Sequence, residues 1–596
     1  MRQGGQAEQG SKALKPATET AMNTSCPKAG NFPWSFVAEG GHNACYAFQN
    51  LDNATIAAAN NSTIDLCRNK ILRVAKSDIV CGKIASDFSA SPSDHAECEQ
   101  FPFIMPTSEA SCASFDPNLR YILKVVRPLL GPQYVDIPHR ATISNEFAAI
   151  LWRVAMLSGR IAQNRAKDWG CGKNEEVNSI ACSNGDQILF DDKNNDRIEA
   201  TLLSNHTKIS YSAYSMEPLP GESCLSVEIK PKAGYLSCSP LIDPKRRIKF
   251  WRTKYWIHQR LMAKGSLKKG WGSLKNDGET EAVVSSYNPL DLFSSEKNRI
   301  QHALRCLLEH PQNNMRVWHD GNIVIGHDAS TLNSSRSSSI VESVFPQMTG
   351  NFDLQDAIVE TVSEILVKEP LLSQILTGQT LDIIDTDGAI LVWNHLIQLC
   401  DGDIDKAEIL VDQYQGRIQT IDDIMKDENR NGLGALCDKI SSFREDMQII
   451  HVGEEEEKGI VKEGLLDKAY RETSELVGHL NKEESVQLLA TWLLSLSICD
   501  LSFFVTLGPV PTHIPSSIQS TEMNSNASST GTYSQTEDSP GCLAMSHGDS
   551  SAIAKYFYNV KVVDCDMKPC RKLRNREHVE AVMDDLFDLR GELSIK

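Results

Sequence analysis

Residues 486–510 read VQLLATWLLSLSICDLSFFVTLGPV, an apolar run interrupted by one carboxylate, Asp500. A run of this length is long enough to span a bilayer, but a charge near the centre of a span costs about 2.5–3.5 kcal/mol on insertion scales. The run also breaks at a Gly-Pro pair and has no Lys or Arg on its C-terminal side. We therefore predict a buried helix over 481–498, a turn at Asp500 and a strand over 501–505.

Composition favours a reduced, soluble protein without a nucleic-acid partner. The chain has 596 residues, a net charge of −18 and an apolar fraction of 41%, which is ordinary for a globular protein. The acidic balance argues against nucleic acid. The seventeen cysteines contain no CxxC pair, which disfavours a thiolate zinc site and a disulfide framework. We expect a monomer in the cytoplasm or the nucleus that binds no membrane.

The order of patterns along the chain predicts two lobes and an α+β fold. Residues 1–30 lack an apolar stretch after their basic residues, so they do not fit a secretory signal, and we expect a disordered tail. Residues 31–190 begin β-rich around a glycine turn, whereas residues 191–596 are mixed and then helix-rich, with a disordered Ser/Thr/Asn-rich insertion over 512–550. A small β-rich N-lobe that binds nucleotide and a larger C-lobe are typical of a kinase-like fold.

The motif VEIKPK, residues 227–232, concentrates charge on a strand. Alternate residues of a strand share a face, so Glu228, Lys230 and Lys232 would point the same way. Two neighbouring lysines repel each other unless an anion lies between them. A solvated strand face is the alternative. Pro231 predicts a strand at the edge of its sheet, because proline cannot donate a ladder hydrogen bond.

Two further motifs place polar groups at the ends of strands. PQNNMRVW, residues 311–318, brings Asn314 and Arg316 to a helix-to-strand junction. Amides and a guanidinium there suit phosphate or hydroxyl recognition, although a helix stop with turn asparagines has the same pattern. VVDCDMKP, residues 562–569, would place Asp564, Asp566 and Lys568 on one strand face. Carboxylates at a strand end suit Mg²⁺, and solvated charges are the alternative.

The N-terminal β-rich region contains a candidate phosphate loop. AEGGHN, residues 38–43, has two glycines that would let backbone N–H groups approach phosphates. Downstream, KILRVAK places Arg73 on a strand next to that turn, the arrangement by which kinases hold nucleotide phosphates.

A basic segment, residues 244–275, interrupts the acidic composition. It reads PKRRIKFWRTKYWIHQRLMAKGSLKKGWGSLK and contains no Asp or Glu. A solvated helix face is the alternative, but it does not explain the complete absence of acids. We therefore predict that the segment supplies cations to an anionic ligand.

Together these motifs resemble the inositol-pentakisphosphate 2-kinase family. The family motifs EIKPK, YxPLDLFS, PQNNxRV and LWRV are matched at residues 228–232, 287–294, 311–317 and 151–154. AEGGHN, ICDLSFF and DCDMKP resemble three others, and all seven occur in the family's order.

The resemblance implies an activity. It is the ATP-dependent, Mg²⁺-dependent phosphorylation of the 2-hydroxyl of inositol 1,3,4,5,6-pentakisphosphate, which gives inositol hexakisphosphate, or phytate. Two alternatives stay open: a kinase acting on a different inositol polyphosphate, and a non-catalytic protein that binds inositol phosphates. The first is motivated by Asp78 and Met262, which stand where the family has basic residues.

The resemblance also implies roles for individual residues. Asp500 would be the general base, and Asp564 a Mg²⁺ ligand with Asp500 as a second candidate ligand. The nucleotide contacts would be Glu39, Gly40, Gly41, Asn43, Arg73, Asp191 and Glu228. The contacts to the inositol phosphate would be Arg153, Lys230, Lys232, His258, Asn314, Arg316 and Lys568.

The charge of the implied substrate agrees with these assignments. Five phosphate monoesters carry about −8 to −10 at pH 7, so a site for them needs many cationic donors. Lys572 and Arg576 align with a family arginine and a family tyrosine, so we expect the charge there to be kept in part.

Overall fold

The structure is a computed structural model of the chain. It describes residues 34–39, 43–48, 70–75, 117–144, 147–148, 151, 154, 197–207, 223–263, 284–326, 334–346, 353–418, 420, 431–452, 459–509, 541–546 and 553–587. Helices and antiparallel strands both occur, so the α+β prediction is confirmed.

The chain divides into two compact units, each built from several segments. The first comprises residues 1–68, 72–103 and 142–200, and the second comprises residues 69–71, 104–141 and 201–596. The predicted lobe boundaries at residues 30 and 190 stay a prediction.

The N-terminal strands form a five-stranded sheet. Its strands are β1 Trp34–Glu39, β2 Asn43–Phe48, β3 Lys70–Ala75, β4 His139–Ser144 and β5 Arg197–Ser204. The sheet order is β1-β2-β3-β5-β4, and β1 and β2 pair antiparallel.

The second unit contains a six-stranded antiparallel sheet. Its strands are β6 Leu225–Ile229, β7 Met315–His319, β8 Asn322–Ile325, β9 Ser502–Pro509, β10 Gly541–Ser546 and β11 Ile553–Val563. The order is β10-β11-β9-β6-β7-β8. Strand β10 lies within the segment that we predicted to be disordered, so part of that insertion is strand.

Fourteen α-helices occur among the described residues. The first seven are α1 Pro117–Tyr121, α2 Arg127–Leu130, α3 Lys254–Ala263, α4 Pro289–Leu292, α5 Lys297–Glu309, α6 Ser334–Val344 and α7 Leu354–Lys368. The others are α8 Leu371–Gln379, α9 Asp385–Leu399, α10 Ile404–Arg417, α11 Asn431–Val452, α12 Gly459–Val477, α13 Lys482–Asp500 and α14 Lys572–Phe587. A π-helical stretch, Ile122–Val126, joins α1 to α2, and a 3-10 helix spans Pro244–Phe250.

The apolar run of the sequence becomes helix α13 and strand β9. Asn481 caps α13 in a capping box with Glu484, and the helix packs against α8, α9 and α10. A helix that is apolar all round is expected to be buried, and most of its side chains are. Among the residues that the structure describes, no helix has both the length and the apolar character that a membrane span needs. The predicted helix and strand are confirmed, although the helix continues through Asp500, where we predicted a turn, and the strand runs four residues further than predicted, to Pro509.

Strand β6 lies in the middle of its sheet, which corrects the edge position predicted from Pro231. It pairs with β9 on one side and β7 on the other, and all five of its residues are buried. Pro231 lies beyond the strand, which ends at Ile229, so the missing N–H interrupts no ladder.

Candidate active site

Strand register brings several of the charged motifs of the sequence together at one end of the six-stranded sheet. Ile229 of β6 pairs with Phe503 of β9 and Met315 of β7, and Ser502 of β9 pairs with Val563 of β11. The residues just beyond these pairs therefore emerge at the same sheet end. They are Lys230, Asn314 and Asp564, and Asp500, the last residue of α13, lies two residues before Ser502.

Asp564 lies directly after β11 in a left-handed conformation, with φ of 61°. Its Oδ2 lies 4.0 Å from the Nζ of Lys230, and its side chain is 51% exposed. The predicted strand alternation through Asp566 is wrong, because β11 ends at Val563. Asp566 instead accepts a hydrogen bond of 3.0 Å from Asn118 of α1.

Asp500 is the last residue of α13 and keeps 39% of its side chain exposed. The Nζ of Lys568 lies 3.4 Å from its Oδ2. Partial burial opposes ionisation, but the positive charges of Arg576, Lys568 and Lys232 outweigh it and hold the pKa of Asp500 below its usual value. The carboxylate is therefore ionised at neutral pH, the form that accepts a proton or binds a metal ion.

Lys232, another cation near Asp500, has an unusual backbone conformation. Its φ of 62° breaks the strand alternation that we predicted for EIKPK. Burial lowers its pKa, and the charge of Lys230 adds to that effect while Asp500 opposes it. A lysine destabilised in this way gains from an anionic ligand.

His258 of α3 is neutral at physiological pH. Burial, together with the charges of Lys232 and Arg576, lowers its pKa to about 4. It can therefore offer a ring N–H or a lone pair to a ligand, but it adds no positive charge.

Glu228 and Arg316 face each other on β6 and β7. Their side chains form an ion pair of 3.4 Å, and Arg316 also donates to Asn313 Oδ1 at 3.2 Å. Asn314 is buried and joins elements: its Nδ2 donates to the hydroxyl of Tyr255 at 2.9 Å, and its backbone oxygen accepts from Lys230 N at 2.8 Å. These contacts give Asn314 a structural role, and its contact with a ligand stays a prediction.

Arg576 belongs to the site, although sequence reasoning treated it only as a departure from the family. Its charge acts on Asp500, Lys232 and His258. Lys572, one helical turn earlier in α14, has a pKa lowered by burial and by the charges of Lys568, Arg571 and Arg576, opposed by Asp500. The sequence did contain a signal for this: Lys572 and Arg576 follow the Lys568-Pro569 pair at (i, i+4) spacing, which places both cations on one face of a helix.

Much of the basic segment has a different role from the one predicted. Lys249 lies 2.7–3.0 Å from carboxylate oxygens of Asp385, Asp387 and Glu580. Arg246, Arg247 and Lys254 pair in the same way with Asp387, Asp467 and Asp382. The carboxylates that neutralise these cations therefore come from other elements: α9, α12, α14 and the residue Asp382 before α9. The prediction that Arg246, Arg247, Lys249 and Lys254 bind an anionic ligand is wrong, because protein carboxylates neutralise them.

The predicted nucleotide residues lie mostly in the first unit. Glu39 ends β1 and Asn43 begins β2, and Arg73 lies half-buried in β3. The side chains of Glu39 and Asn43 lie outside the described part of the chain, as do Gly40, Gly41, Asp78, Arg153 and Asp191.

The residues at the sheet end fit a magnesium ion bound together with phosphate. No cluster of three or more metal-ligating side chains occurs among the residues described. Mg²⁺ does not need one, because it commonly takes one or two carboxylates and completes its shell with phosphate oxygens and water. Asp564 and Asp500 could provide those carboxylates, since β9 and β11 pair directly next to them.

Comparison with known proteins identifies the family. The sequence model described as inositol-pentakisphosphate 2-kinase matches residues 36–581. The inositol-pentakisphosphate 2-kinase IPK1 of Oryza sativa subsp. indica is 31% identical over 284 residues, which cover 47% of this chain and 54% of the relative. The Arabidopsis thaliana inositol-pentakisphosphate 2-kinase is 28% identical over 284 residues, covering 47% and 53%.

A Danio rerio inositol-pentakisphosphate 2-kinase is 36% identical over 101 residues, or 17% of this chain and 18% of the relative. The chain spans about half the length of the plant relatives that it matches. The family match nevertheless extends over most of the sequence. The chain belongs to the inositol-pentakisphosphate 2-kinase family.

Proposed function

We propose that the chain transfers the γ-phosphoryl group of ATP to the 2-hydroxyl of inositol 1,3,4,5,6-pentakisphosphate and releases ADP and inositol hexakisphosphate. The proposal rests on one observation: five cationic side chains lie around two carboxylates at one end of the six-stranded sheet. The carboxylates are Asp500 and Asp564, and the cations are Lys230, Lys232, Lys568, Lys572 and Arg576. A substrate with a charge of about −8 to −10 would compensate the repulsion among these cations.

Asp500 would accept the proton of the attacking hydroxyl as the new O–P bond forms. Phosphoryl transfer is catalysed mainly by positioning and by charge neutralisation. The lysines around Asp500 would orient the inositol phosphate, and Glu228 would contact the nucleotide. Asp564 and Asp500 would hold Mg²⁺, which when bound neutralises charge on the phosphate oxygens.

We also propose a two-lobed kinase-like arrangement, with the first unit as the small nucleotide-binding lobe. Family membership and the division of the chain into two units support it. A monomer in the cytoplasm or nucleus remains our expectation.

The decisive experiment locates the transferred phosphate. The purified protein is incubated with ATP, Mg²⁺ and a panel of inositol polyphosphates, and the new phosphate is assigned by NMR. We expect phosphate on the 2-position of the pentakisphosphate. Transfer to another position or preference for another substrate would favour the first alternative, and binding without turnover would favour the second.

Asp500→Asn tests the general base. Loss of proton acceptance should lower kcat by about 10²–10⁴-fold. Asp566→Asn is the matched control, because this carboxylate lies in the neighbouring motif and bonds to Asn118; its kcat should stay close to the parent value. An Asp500→Asn enzyme that turns over as fast as the parent would remove Asp500 from this role.

A further inference from the structure

Helix α14 presents three residues in a stripe towards the interior of the second unit. Leu573, Arg576 and Glu580 follow the i, i+3, i+7 spacing of one helix face. Leu573 and Glu580 are buried, and Leu573 belongs to an apolar cluster with α9 and α13. Arg576 lies between them and is half-buried.

Glu580 is anchored by one buried and one half-buried cation from the 3-10 helix Pro244–Phe250. The Nζ of Lys249 lies 2.7 Å from Glu580 Oε2, and the guanidinium of Arg246 lies 3.9 Å from the same oxygen. Lys249 is only 2% exposed. Burial raises the pKa of Glu580 to about 7, opposed by the charge of Lys249 and reinforced by the charges of Asp387 and Asp385. Above that pH the carboxylate is ionised, and because a buried charge is costly unless it is paired, these contacts then fix Glu580, and with it this turn of α14.

The anchor belongs to a larger buried ion cluster. Arg246, Lys249 and Lys254 face four carboxylates, those of Asp382, Asp385, Asp387 and Glu580. Lys249 therefore keeps two partners when Glu580 loses its charge. We expect the cluster to survive a substitution that removes the charge and keeps the shape of this side chain.

A cavity lies beside Glu580, so α14 could move there if the ion pair were lost. A cavity of about 260 Å³ is lined by both Glu580 and Glu577 of α14 and by Arg246, Asp387 and Tyr470. Without the ion pair, this turn of the helix has room to shift. Arg576 is one turn away from Glu580, and its charge acts on Asp500, Lys232 and His258.

We propose that Glu580 is a positioning residue, which through Lys249 and Arg246 holds helix α14 so that Arg576 faces the inositol-phosphate site. The inference rests on the proposed function, because it assigns Arg576 to the binding of that substrate. Glu580 itself touches no reacting group. Its effect on the reaction passes entirely through Arg576.

A double-mutant cycle tests the proposal. At about pH 8.5, above the raised pKa of Glu580, Glu580→Gln should raise the KM for inositol pentakisphosphate about tenfold, with kcat within about threefold of the parent, because coupled pairs interact by amounts of this size. In an Arg576→Gln background, the same change should raise KM by less than about twofold. Glu580→Asp keeps the charge on a shorter side chain and should give an intermediate KM.

Glu408→Gln is the matched control. Glu408 pairs with Arg574 of the same helix at 2.7 Å, so its loss weakens an anchor of α14 outside the stripe of Leu573, Arg576 and Glu580. We expect a KM close to the parent value. An equal KM change in this control would show that any loosening of α14 is sufficient and would overturn the specific role of Glu580.

Calorimetric binding of inositol pentakisphosphate is measured for the same variants. Coupling between Glu580 and Arg576 in Kd supports the proposal even if the protein transfers no phosphate, a result that would count against the proposed function alone. Equal effects of Glu580→Gln in both backgrounds, or none in either, would refute the positioning role. If the Gln variant does not fold, the cycle is built with Glu580→Asp and judged by the same outcomes. A parent protein that neither binds nor phosphorylates inositol pentakisphosphate would refute both proposals.

Discussion

Two charged residues of the candidate site have left-handed backbones. Lys232 and Asp564 have φ values of 62° and 61°, a region that costs a residue with a side chain about 1–3 kcal/mol. At Lys232 this cost is offset by hydrogen bonds to Gln379 of α8. The Gln379 side chain donates from Nε2 to Lys232 O at 2.7 Å and accepts from Gly234 N at 2.8 Å. One amide side chain thus holds the loop that follows EIKPK.

Gly234 leaves no room for a side chain. A Cβ there would lie 2.0 Å from the ring of Phe293, so Gly234→Ala should lower the free energy of unfolding by about 1–3 kcal/mol, as overpacking does. Urea denaturation measures it. Gly464→Ala in α12 is the control, because no atom lies within 4 Å of its Cβ position, and it should leave stability unchanged or raise it by about 0.4–1 kcal/mol. Equal behaviour of the two variants would contradict the packing described around Phe293.

At the scale of elements, helix α13 carries Asp500 to the end of the sheet. Its start is fixed by the capping box, in which Asn481 accepts from Glu484 N at 3.0 Å and Glu484 accepts from Asn481 N at 2.8 Å. Glu484 also accepts from Leu433 N at 3.2 Å and so joins α13 to α11. The helix ends where β9 begins, which determines the position of its last carboxylate.

Asn481→Ala should cost about 1 kcal/mol of stability, because loss of the cap leaves the backbone N–H of Glu484 without its acceptor. Chemical denaturation measures the loss, and Asn481→Asp, which can accept the same hydrogen bond, should retain most of the stability. At temperatures where the variant is folded, kcat should match the parent, since Asp500 lies at the opposite helix end. A large loss of kcat without loss of stability would show that the cap also affects the site.

At the scale of the whole molecule, titratable groups with little solvent exposure link distant parts of the second unit. His206 is one of them: its Nε2 lies 3.6 Å from Asp136 Oδ2, and Lys561 lies 2.7 Å from the other oxygen of that carboxylate. Burial lowers the pKa of His206 to about 4, with Lys561 and Lys70 adding to the effect and Asp136 opposing it. The histidine is therefore neutral in the folded chain near pH 5.

The sign of the resulting pH dependence follows from proton uptake. Between about pH 6.5 and 4 the unfolded chain binds a proton at His206 and the folded chain does not, so the free energy of unfolding falls as the pH decreases. The full difference in pKa corresponds to about 3 kcal/mol. Unfolding free energies of the parent and of His206→Asn, measured across this range, should differ in slope. Parallel curves would show that His206 is charged in the folded state.

The sequence alone determined the apolar helix and the strand after it, because periodicity, capping and breaking residues are local properties of the chain. It also identified the family motifs, since each is contiguous. It misassigned the faces of EIKPK and DCDMKP, because β6 ends before Lys230 and β11 ends before Asp564, and the backbone is left-handed at Lys232 and at Asp564.

Only the tertiary structure decided which charges belong to the site. Lys249 and Lys232 are both buried or half-buried lysines in basic surroundings, yet Lys249 is neutralised by Asp385, Asp387 and Glu580, whereas Lys232 has Lys230 and Arg576 among its neighbours. Those partners are more than 130 residues away from Lys249 along the chain. Electrostatic energy depends on distance in space and on burial, and neither can be read from the order of residues.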